Sequence, residues 1–129
     1  MATLTTPIKA LLQTGYSSPR FALKAGDTLP VIRVQIVSTF GAADLTGAVV
    51  TFRWWPAGCG CQTPEVVFEA EATIEDAPKG IVSYAWVDGD TDVPDTYACE
   101  WVVEQDGKQF TAPNDSAVEL LILRFGHRG

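Results

Sequence analysis

Residues 79–104, KGIVSYAWVDGDTDVPDTYACEWVVE, alternate apolar and polar side chains on both sides of an acidic corner. Val82, Tyr84 and Trp86 fall on one face of the first half. Tyr97, Cys99, Trp101 and Val103 share a face of the second, opposite Glu100 and Glu104. A period of two with bulky apolar groups on one side cannot bury its apolar face as a helix, whose faces recur every 3.6 residues or so. The pattern predicts two half-buried antiparallel strands, and with them a sheet-built protein.

The same reading extends over most of the chain. Phe21–Lys24 predicts a short strand, followed by the turn Ala25-Gly26-Asp27-Thr28 and a longer strand from Pro30 to Ser38, with Ile32, Val34 and Ile36 on one side. A third runs over Ala48–Trp55 and places Val50, Phe52 and Trp54 together. Past the Gly-, Cys- and Pro-rich loop Pro56–Pro64, the alternation of Val66, Phe68, Ala70, Ala72 and Ile74 predicts a single strand over Glu65–Ile74. Asp106-Gly107 after Val103 is the pattern of a two-residue type I′ hairpin. Pro113-Asn114-Asp115 interrupts the returning strand, since proline offers no N–H to a ladder, and Ala117–Arg124 resumes it. Short strands with frequent turns and no long helical pattern predict an all-β, immunoglobulin-like antiparallel β-sandwich of about seven strands. Its expected core is Ile32, Val34, Ile36, Val50, Phe52, Val82, Tyr84, Trp86, Cys99 and Trp101.

Residues 1–20 read differently. Thr6-Pro7, then Ile8, Leu11 and Leu12, then Gly15 resemble a capped short helix. So short a helix does not hold alone in water, and the arm is expected to pack on its own domain or on a neighbouring subunit. The division expected is an arm over 1–20, a sandwich domain over 21–124 and a tail over 125–129.

A net charge of −7 opposes binding to nucleic acid through phosphate neutralisation. No apolar run reaches the roughly 18 residues of a membrane span, so no membrane insertion is expected. MATLTTPIKALLQTG lacks the basic start and apolar stretch of a secretory leader. Three cysteines do not make a secreted disulfide framework, and folding in a reducing cytoplasm is expected.

The segments GDTLPVIRVQIV (26–37), DLTGAVVTFRW (44–54), KGIVSYAW (79–86), GDTDVPDTYACEWVV (89–103) and DGKQFTAPND (106–115) resemble, in the same order, the immunoglobulin-like N-terminal domain of bacteriophage baseplate upper proteins. The resemblance spans nearly all of 21–123 and implies a virion structural module, made in the bacterial host cytoplasm, that joins tail or baseplate parts. Its expected partners are other phage virion proteins and copies of itself. No receptor-binding module is expected after the matched segments, a departure from the family's pattern that leaves open a baseplate adaptor or another small virion protein. A carbohydrate- or receptor-binding module on the virion surface, and a capsid decoration or head–tail joining protein, are the alternatives.

Residues with capacity for chemistry are few. Asp88, Asp90 and Asp92 have the spacing that opens a calcium loop, but Val93 and Cys99 stand where that loop needs Gly and Glu. Turn chemistry accounts for the same residues. Cys59, Cys61, Cys99 and His127 lack the spacing of a zinc site, and Cys59 or Cys61 is placed for an intermolecular disulfide. Tyr97-Ala98-Cys99 has the spacing of the tyrosine corner and second cysteine of antibody domains, with no cysteine partner on the earlier strand. One histidine near the end gives little basis for nucleophilic catalysis. No enzyme activity and no cofactor are expected. A sugar-stacking platform would need Trp55 and Tyr16 exposed together.

Parity supplies the functional residues. Trp54 and Trp55 are adjacent on one strand and point oppositely. In Leu120-Leu121-Ile122-Leu123 the same rule turns Leu121 and Leu123 outward. Apolar groups on both faces of a sheet need a cover, supplied by the arm or by a partner. Ile8, Leu11, Leu12, Trp55, Leu121 and Leu123 are the expected interface.

Overall fold

The alternation in the second half of the 79–104 segment becomes the longest described strand, Asp95–Gln105, which lies at the middle of the larger sheet. The computed structural model describes residues 8–12, 20–57, 67–113 and 118–124. Their regular elements are strands, with no helix among the described residues. In chain order they are β1 (Ile8–Leu12), β2 (Arg20–Lys24), β3 (Ile32–Ser38), β4 (Gly41–Ala42), β5 (Val49–Pro56), β6 (Phe68–Glu71), β7 (Thr73–Asp76), β8 (Ile81–Tyr84), β9 (Asp95–Gln105), β10 (Lys108–Ala112) and β11 (Val118–Leu123).

Two sheets face each other. One runs β1-β3-β8-β7, with β4 beside the end of β3. The other runs β2-β11-β9-β5-β6, with β10 and β11 following one another along the same side of β9. The described pairings are antiparallel except β2 with β11, which is parallel. Taking β1, β3, β8 and β7 as strands A, B, E and D, and β5, β9 and β11 as C, F and G, gives the strand order of an immunoglobulin-type sandwich. Its first strand is shared between the sheets as β1 and β2.

Local chemistry fixes the connections. Asp106 and Gly107 take φ of 54° and 75° and set Gln105 opposite Lys108, the two-residue hairpin expected. Beyond Ala112, Pro113 ends the ladder and β11 resumes pairing at Cys99. The tyrosine corner forms: Tyr97 Oη donates to the Val93 carbonyl at 2.8 Å. Cys99, two residues on, is a free, fully buried thiol facing a core to which β3 gives Ile32, Val34 and Ile36.

All ten expected core residues are buried. Phe52 is their hub, with ring centroids of Trp101 at 4.5 Å, Trp54 and Tyr84 at 5.1 Å, and Trp86 edge-on at 5.7 Å. Truncating Phe52 or Trp101 to alanine would cost about 3–5 kcal/mol.

Two expectations are corrected. Thr6–Gly15 was expected to carry a helix, but its described residues 8–12 form a strand paired from Ile8↔Ser38 to Leu12↔Val34. A helix that short leaves most of its backbone groups without intrahelical partners, whereas the side of β3 accepts them in a ladder. The single strand expected over Glu65–Ile74 is two strands in different sheets, β6 on β5 and β7 on β8. The chain crosses at Ala72, which is buried and donates its N–H to Val50 O at 2.8 Å. The expected common face therefore breaks: Phe68 is 41% exposed at a sheet edge, stacked on Trp54 at 5.3 Å. Val66 lies outside the described residues.

Candidate functional site

With one face of the β2-β11-β9-β5-β6 sheet packed on the core, the opposite face carries the side chains of the other parity. Register places them in rows. Arg20, Glu119, Ala98 and Trp55 lie side by side across β2, β11, β9 and β5. The row toward the end of β11 holds Ala22, Leu121 and Thr96, and the next holds Lys24 and Leu123. In the other direction come Glu100, Arg53 and Glu69, then Val102, Thr51 and Glu71.

The middle of this face is apolar. Trp55, Ala98 and Leu121 are half-buried, Ala22 is exposed and Leu123 is 45% exposed. Its flanks are charged. Arg20 Nε holds Glu119 Oε1 at 2.7 Å. Arg53 Nη2 donates to Glu100 Oε2 at 2.6 Å and its Nη1 lies 3.5 Å from Glu69 Oε2. An apolar centre with charged flanks matches the general anatomy of protein–protein contacts.

Three of the residues expected at an interface, Trp55, Leu121 and Leu123, meet on this face. The arm residues do not join them. Ile8 and Leu12 lie in the other sheet, partly buried against the chain's own core beside β3. Leu11 is 44% exposed on the outer side of the other sheet.

Loop residues missed by the strand argument extend the apolar surface around one end of the sandwich. Residues 25–31 and 85–94 are tied by Gly26 N to Thr91 O at 3.0 Å, Thr91 Oγ1 to Asp27 O at 2.8 Å and Trp86 Nε1 to Pro30 O at 3.2 Å. They present Leu29, Val87 and Val93 to solvent, and Ala25 N bonds Leu123 O beside them. The available signal was large apolar residues inside turn-forming segments, where nothing in the chain's own core asks for them.

The acidic corner is spent on turns. Asp90 Oδ2 accepts from Tyr84 Oη at 2.6 Å and from Val87 N at 3.0 Å, while Asp88 and Asp92 point into solvent as exposed residues. Among the described residues no three His, Cys, Asp or Glu side chains gather as a metal site. Cys59, Cys61, His127 and Tyr16, invoked for zinc, disulfide or sugar contacts, lie outside the described residues. Burial pushes the Cys99 thiol far up, with the Glu100 charge adding to it. Burial likewise raises the Tyr84 hydroxyl, helped by its bond to Asp90.

No family model and no curated protein matches this chain.

Proposed function

We propose that the chain is a non-enzymatic structural subunit of a bacteriophage virion, a tail or baseplate component that works by holding a rigid sandwich against neighbouring subunits. The observation that carries this reading is the apolar centre on the outer face of the larger sheet, where Trp55, Ala98, Leu121 and Leu123 meet between charged flanks. Each of those groups loses little by staying half-covered, but together they gain by association, at about 25 cal/mol per Å² of apolar surface removed from water. The ordered resemblance of five segments to baseplate upper proteins supplies the virion context. Symmetric assembly would multiply modest contacts into firm attachment.

Cryo-electron microscopy of the intact particle tests the proposal. Density for this chain at the tail tip, with Trp55 buried against a neighbour, is the expected result. Density on the head or neck would keep the structural role and move its location to a decoration or joining protein. Its absence from any particle, together with glycan binding lost in Trp55→Ala, would overturn the proposal in favour of a binding module.

A further inference from the structure

We draw no further inference here: the strongest candidate, the surface patch that exposed Leu29, Val87 and Val93 make beside Asp88 and Asp92 on the loops at one end of the sandwich, carries nothing because nothing in the structure shows what covers it.

Discussion

Gly80→Ala is expected to destabilise the domain far more than an alanine at an ordinary turn glycine. Gly80 takes φ of 71°, and a β-carbon there would sit 2.6 Å from Ile36 O and 2.7 Å from Ala43 O. The backbone term alone, an L-residue in the left-handed region, costs about 1–2 kcal/mol. Both oxygens belong to backbone held in place, and no flexible side chain is available to yield. Ile36 N donates to Gly80 O at 2.8 Å, and Ala43 N to Ile36 O at 2.9 Å. Moving them apart loosens two buried hydrogen bonds at about 1 kcal/mol each. The sum is about 3–4 kcal/mol in a domain whose whole stability is on the order of 5–15 kcal/mol. Urea unfolding should show a lower midpoint at unchanged slope, and Tm should fall by about 10–15 °C. Gly47 is the control: its φ is 77° and a β-carbon there meets nothing within 4 Å. Gly47→Ala should therefore cost only the backbone term. If the two variants lose the same stability within about 0.5 kcal/mol, the close approach of three backbone segments at Gly80 is not what fixes glycine there.

Tyr97→Phe removes the hydroxyl that bonds Val93 O and should cost about 1 kcal/mol by urea unfolding, with the fold retained. Glu75 is held below its usual value of 4.5, chiefly by the Ser83 hydroxyl, against the opposing effect of burial and with further lowering from Arg33. A depressed carboxyl contributes stability above its unfolded value and loses it as pH falls through the folded one. The Tm gap between the parent and Glu75→Gln should thus be present at neutral pH and close on acidification below 4.5; a gap independent of pH would refute that assignment. Cys99 is buried with its thiol pushed up, so a Cys59→Ser, Cys61→Ser chain should resist thiol reagents at mildly alkaline pH until unfolded. Stoichiometric labelling of the native chain would refute the burial.

Where the sequence could be read, side-chain parity and turn chemistry left one solution. Tyr97, Cys99, Trp101 and Val103 have a single way to share a face, and Asp106-Gly107 a single turn to make. The outward positions of Trp55, Leu121 and Leu123 follow from the same parity. What parity does not contain is which sheet a strand joins. Residues 68–76 keep a plausible alternation through Ala72, although the chain leaves one sheet for the other there. Ile8, Leu11 and Leu12 fit helical spacing, and a strand turns Leu11 away from the other two; only the ladder offered by β3 overrides that local pattern.

The parallel pairing of β2 with β11 sets how the sandwich bears load. Arg20 lies beside Glu119 and Lys24 beside Leu123, so both strands run in the same direction. Pulling the chain before Arg20 and after Leu123 in opposite directions slides the two strands past each other along their length. Five register pairs then resist at once, instead of opening one after another from an end. A pull applied before Ile8 must in addition shear the antiparallel ladder of β1 on β3. A domain so arranged yields late under tension between those points, a mechanical property suited to a part that must transmit force rather than absorb it.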